Sequence, residues 1–121
     1  MFDWKKYLDV AEKFAKNSDE CSQRIAISRA YYAAFNYTKH RRIYGNVYGN
    51  KFSGPNSHED MWREAFKDDS EFQFFDDAIT LKDFRKHADY DSSSHNISKE
   101  CKISIKLAKN IIKYVSDTSN N

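Results

Sequence analysis

Apolar residues recur along this chain at intervals of three and four, in blocks separated by short polar breaks. In the first block Trp4, Tyr7, Leu8, Ala11, Phe14 and Ala15 follow the i, i+3, i+4, i+7 pattern of one buried helical face. The spacing predicts a first helix over roughly Trp4 to Lys16. Asn17-Ser18 breaks the pattern and can cap a second helix, with Asp19 and Glu20 in its first turn, where acidic side chains favour the positive end of the helix dipole. That second helix is expected from about Asp19 to Ile43. Ile27, Ala30, Tyr31 and Ala34 share its buried face, and the alanines admit a close neighbour; Arg29, Tyr32 and Asn36 lie on an adjoining face.

All three glycines and the single proline then fall within YGNVYGNKFSGP, so residues 44–56 are expected to form a connecting loop. VYGNKF can supply at most a short extended piece. Beyond it, Ser57-His58-Glu59-Asp60 resembles a capping box opening a short helix, with Met61, Trp62, Ala65 and Phe66 facing inward. A fourth helix is expected from about Glu71 to Ala88 or a little further, with Phe75, Ala78, Ile79 and Leu81 in the core. Asp91 to Ser94 reads as a loop. Ser98 can cap a last helix, along which Cys101, Ile105, Ala108, Ile112 and Val115 keep a spacing of four and three. Residues 116–121 read as a frayed tail. The pattern predicts one all-α domain over residues 1–121, with its core between about 4 and 115.

Composition narrows the function classes. A chain of 121 residues with 40% hydrophobic and 16% aromatic residues can bury a sizeable core without a metal or disulfide staple. Twenty basic residues against 18 acidic ones give a net charge of +2, which argues against strong nonspecific nucleic-acid binding and leaves room for a local basic groove. Cys21 and Cys101 have no metal-ligand spacing with each other or with the histidines, and both are expected as buried free thiols. No apolar run is long enough to span a membrane, and MFDWKKYLDV has no signal-peptide core, so a cytoplasmic protein with no membrane contact is expected; the scattered histidines form no HxxxH or HxxE pattern, so no metal is expected, nor a cofactor.

The densest chemistry lies in FRKHADYD, residues 84–91. On a continued fourth helix Arg85, Ala88 and Asp89 share a face, and Arg85 can pair with Asp89. A solvated helix end explains the same residues, with His87 favouring the negative end of the dipole. Arg29, inside an Ile/Ala/Tyr/Phe helix, needs a partner or a groove; Asp89 or Asp91 can serve as a buttress. The functional alternative is an anion-binding groove of Arg29, Tyr32 and Arg85, since arginine clamps phosphate with paired hydrogen bonds. There is no GxxxxGK loop, GxSxG elbow or GxGxxG fingerprint.

SRAYYAAF at residues 28–35, the loop, a short helix opening with SHED, and then LKDFRKHADYD together resemble the HEPN family of small prokaryotic helical proteins, over roughly residues 4–115. Arg85-Lys86-His87-Ala88-Asp89-Tyr90 is similar to the R-x-x-A-D-Y of one minimal branch. The resemblance implies an up-and-down bundle of four to five helices, usually a homodimer. It implies a role in toxin–antitoxin or phage-defence systems, often beside a nucleotidyltransferase. Many members of the family are metal-independent endoribonucleases with an R-x4–6-H motif. Here none of Arg24, Arg29, Arg41, Arg42, Arg63 and Arg85 is followed by a histidine at that spacing. Three readings follow. The first is binding of RNA or a nucleotide, or docking of a nucleotidyltransferase or antitoxin partner, through Arg29, Tyr32, Arg85, Asp89 and Tyr90. The second is a ribonuclease using Arg85, His87 and Tyr90. The third is a purely structural dimeric interaction protein.

Overall fold

A computed structural model describes residues 2–43, 56–92 and 96–118. These residues form five α-helices and no strand: α1 (Lys5–Ala15), α2 (Glu20–Arg42), α3 (Ser57–Ala65), α4 (Phe72–Tyr90) and α5 (Ile97–Thr118), with a single 3₁₀ turn at Asp69–Glu71 before α4. The chain is an all-α helical bundle. The expected loop 44–56 lies, except for Asn56, outside the described residues, as does the VYGNKF piece.

Side-chain pairs set the helix directions. Lys5 lies over the Tyr37 ring, so the start of α1 meets the far half of α2. Arg24 reaches the last turn of α4, while Arg42 reaches Glu71 just ahead of its first turn. Arg42 also touches Thr118 at the end of α5, and His87 on α4 meets Glu100 on α5. Helices α1 and α4 therefore run against α2, and α5 runs with it. α3 is a short crosspiece between α2 and α4.

α2 is the centre of the bundle. The alternation predicts one buried face, but Ala26, Ile27, Ala30, Tyr31, Ala33, Ala34, Phe35, Tyr37 and Thr38 are all buried. The reason is contact on several sides at once: α1, α4, α5 and α3 all pack on it. Four alanines among these residues keep the helix thin enough for such neighbours. In α4, Ala78 and Leu81 reach the core as expected, while Phe75 and Ile79 are half-buried.

Several expected ends and exposures are corrected. Asp19, not Ser18, caps α2, its carboxylate accepting the Ser22 N–H at 2.9 Å. Asn96, not Ser98, caps α5, with its Oδ1 accepting the Lys99 N–H at 3.1 Å. Ser57 is already helical and makes no capping hydrogen bond, so no capping box forms at α3. α5 runs through Thr118, so residues 116–118 are helix rather than frayed tail; residues 119–121 lie outside the described set. Cys21 is exposed and only Cys101 is buried, where burial pushes its thiol up.

One polar clamp ties the elements together. Arg42 donates to Ala65 O and Glu71 Oε2, both at 2.9 Å, and to Thr118 Oγ1 at 2.7 Å. The Tyr114 hydroxyl donates to the same Glu71 oxygen at 2.6 Å, and that bond holds its phenol above the ordinary range. The Arg42 guanidinium lies 5.6 Å and 5.5 Å from the ring centres of Phe66 and Tyr114. Glu71 is buried, and this network satisfies its charge.

Candidate functional site

The stripe Arg24, Ser28, Tyr31 and Phe35 recurs at four- and three-residue spacing along α2, and the chemistry gathers on it. Opposite lies the last half of α4. There Arg85 points into the bundle, with its side chain only 9% exposed. Its guanidinium lies 5.4, 5.6 and 5.7 Å from the ring centres of Tyr31, Tyr32 and Tyr90. This aromatic cage accommodates the cation by attraction to ring faces.

The cage leaves Arg85 short of hydrogen-bond acceptors. Asp89, one turn along, is 3.6 Å away, beyond good hydrogen-bond length. The same Asp89 oxygen accepts from Ser28 Oγ at 3.4 Å. The Arg85 Nε is buried with no hydrogen-bond partner among the described residues. Leaving a buried donor unused costs about 1–3 kcal/mol. Tyr90 is exposed and Tyr32 half-buried, so the cage has aromatic faces open to solvent.

His58 adds a second polar group. It opens α3, and its Nδ1 is 2.7 Å from the Tyr31 hydroxyl. Trp62 Nε1 donates to that hydroxyl from 3.2 Å. Indole only donates, so the arrangement that uses every buried donor has Tyr31 O–H donating to an unprotonated Nδ1. The proton of neutral His58 then sits on Nε2. The ring also stacks on Phe35, with centres 4.3 Å apart. Burial, then the charges of Arg85, Lys82, Lys39 and Lys86, hold His58 below its ordinary value, which keeps it neutral. Tyr31 is pushed far above the ordinary phenol value by burial, so it is a hydrogen-bond relay and not a base.

Of the sequence-nominated residues, the structure brings together Tyr32, Arg85, Asp89 and Tyr90. It does not bring Arg29 or His87 to them. Arg29 is exposed, with its guanidinium 5.4 Å from the Tyr7 ring centre, so the buried, carboxylate-paired arginine expected on α2 is not found there. His87 lies two residues past Arg85, roughly 200° around the helix. Its Nδ1 is 3.0 Å from Glu100 Oε1 on α5, and it lines a separate open cleft with Thr80, Asp83, Phe84, Lys86 and Asp91.

Two residues were missed from sequence. His58, Met61, Trp62 and Ala65 share one helical stripe, so His58 lay on the inward face of α3 from the outset. Arg24 caps α4 from outside, donating to His87 O at 3.0 Å and Ala88 O at 2.9 Å. That role had no local signal.

Among the described residues no cluster of histidine, cysteine and carboxylate side chains could hold a metal, and no helix is long and apolar enough to cross a membrane. No family model, curated protein or solved structure matches the chain. The site therefore has to be read from its own chemistry. It holds a buried cation whose Nε has no partner among the described residues, the exposed Tyr90 ring, the half-buried Tyr32 ring and a neutral imidazole.

Proposed function

We propose that this chain is a HEPN-like protein that binds the phosphate of single-stranded RNA or of a nucleotide at the Arg85 cage. The observation that carries the reading is the buried Arg85 Nε without a partner, set among three tyrosine rings. A phosphate oxygen would complete the hydrogen bonding of the guanidinium, and Tyr90 or Tyr32 would stack on an adjacent base. Asp89, already 3.6 Å off, is a weak competitor that an incoming phosphate displaces. The resemblance alone supports the rest: a homodimer in a toxin–antitoxin or phage-defence system, with a nucleotidyltransferase or antitoxin as partner.

Ribonuclease activity is the second reading, and His58 favours it. His58 is neutral, within electrostatic reach of Arg85 and on the same side of α4, whereas His87 is turned toward α5. If the protein cleaves RNA, His58 replaces His87 in the catalytic set with Arg85.

The test is fluorescence anisotropy of a labelled short single-stranded RNA, with the recovered RNA run on a gel. The expected result is saturable binding that weakens about five- to a hundredfold in Tyr90→Ala and is lost in folded Arg85→Met. Intact RNA supports binding alone. Metal-independent cleavage that disappears in His58→Gln supports the second reading. Binding unchanged in Arg85→Met contradicts both.

A further inference from the structure

A second aromatic site lies away from the Arg85 cage, where the N-terminal end of α1 meets the C-terminal end of α2. The Trp4 and His40 ring planes are nearly parallel, inclined by 20°, with ring centres 6.4 Å apart. A closed stack in the same protein, Phe74 on Tyr114, has centres 3.9 Å apart at 13°. Trp4 and His40 both line an open pocket of about 230 Å³, shared with Phe2, Asp3, Tyr37 and Arg41. At 6.4 Å between centres the two rings are not in the close face contact of stacked bases, about 3.4 Å apart, and the pocket that both line is open to a planar ring. The volume is below the roughly 300–1,000 Å³ of pockets for drug-sized ligands, which suits one base rather than a whole nucleotide.

Neighbouring rings and cations hold the walls. Phe2 and Tyr7 lie nearly perpendicular to Trp4, at 4.8 Å and 5.0 Å, and fix the indole while leaving a face toward His40. The Tyr37 ring beneath carries two cations, Arg41 at 4.8 Å and Lys5 at 5.4 Å. Asp3 uses one carboxylate oxygen to accept the Lys5 N–H at 3.0 Å, which leaves the other free at the pocket rim.

We infer that this pocket binds a guanine base between Trp4 and His40, with its phosphate met by Arg41 and Lys5. The Watson–Crick edge of guanine presents two adjacent N–H donors, one for the free Asp3 oxygen and one for the remaining lone pair of the oxygen that accepts from Lys5. Adenine presents one donor beside an acceptor, which a carboxylate repels. The base can belong to a free nucleotide or to a single RNA strand, since both offer the same ring and phosphate. The inference does not rest on the Arg85 reading.

Of the two tryptophans, Trp62 is fully buried, so quenching by an added base reports on Trp4. The experiment titrates the full chain with GMP, with AMP, and with a short RNA holding one guanosine or an adenosine in its place. Saturable quenching by GMP or the guanosine RNA is expected, about ten- to hundredfold weaker in His40→Ala. Anisotropy of a fluorescent GMP should show the same loss in Trp4→Ala, with circular dichroism confirming the fold of each variant. Arg41→Ala should weaken GMP more than guanosine. Quenching by RNA and not by GMP assigns the site to a strand; quenching by GMP at least as tight as by the RNA assigns it to the nucleotide. Quenching by neither, equal response to GMP and AMP, or an unchanged response in folded His40→Ala overturns the inference.

Discussion

Arg42 and Arg85 are both enclosed by aromatic rings where α2 meets α4 or the turn before it, yet they differ in what they hold. Arg42 donates to a buried carboxylate, a main-chain carbonyl and a threonine hydroxyl, each within 2.9 Å. Arg85 has one carboxylate at 3.6 Å and a buried Nε with no partner. A buried charge contributes to the fold only when its hydrogen bonds are made. Arg42 meets that condition and closes the bundle. Arg85 meets it only in part, through ring faces and one long carboxylate contact, and the proposed phosphate would supply the missing acceptor.

The sharpest way to break this contrast is to remove one partner from each side. Glu71→Ala strands Arg42 and the Tyr114 hydroxyl, and should cost about 3–5 kcal/mol in a urea titration. Arg85→Met keeps an unbranched stem out to about the Nε position and removes the guanidinium with its long Asp89 contact. Its stability should stay within about 1 kcal/mol of the wild type or rise above it, while RNA binding is lost. Equal destabilisation by the two substitutions would make Arg85 a second structural clamp.

A smaller effect is expected with pH. His58 lies below its ordinary value of 6.5 in the folded chain, so the unfolded chain takes up this proton first as the pH falls. Its contribution is complete above 6.5 and is lost as the pH drops from there toward the folded value. The urea midpoint should therefore fall less in His58→Gln than in the wild type between pH 7.5 and 5.5. Parallel losses in the two proteins would remove His58 from the buried network.

The smallest effect tests the cage from its open side. Asp89→Asn removes the carboxylate that competes for Arg85, and should tighten RNA binding several-fold, in the range of one charge-assisted contact, about 1 kcal/mol. Weaker binding would show that Asp89 positions Arg85 rather than competing with the ligand.

The helices were legible because apolar spacing reports burial directly. Their ends were less so, since Ser18 against Asp19, and Ser98 against Asn96, differ only in which oxygen reaches a free N–H. The burial of α2 on most sides follows from how many helices meet it, which its own pattern does not state. At the site, the Arg85–Asp89 spacing was readable, but the depth of Arg85 depends on which stripe of α2 it faces. Arg29 looked committed because its sequence neighbours are apolar, yet one step of 100° takes it to the surface over Tyr7. His58 carried a readable signal, a histidine in the inward stripe of a short helix. Arg24 carried none, because its partners are main-chain carbonyls more than 60 residues away.

The proposed hold of Arg85 on a phosphate can be read at its own Nε nitrogen. The measurement is an ¹H–¹⁵N spectrum of the arginine Nε–H groups as a short single-stranded RNA is added, with Arg85→Lys to assign the signal. A downfield shift and slower solvent exchange of the Arg85 Nε–H are expected as it gains an acceptor. An Arg85 signal that stays in place at saturating RNA, while other resonances move or none do, would contradict the proposed hold.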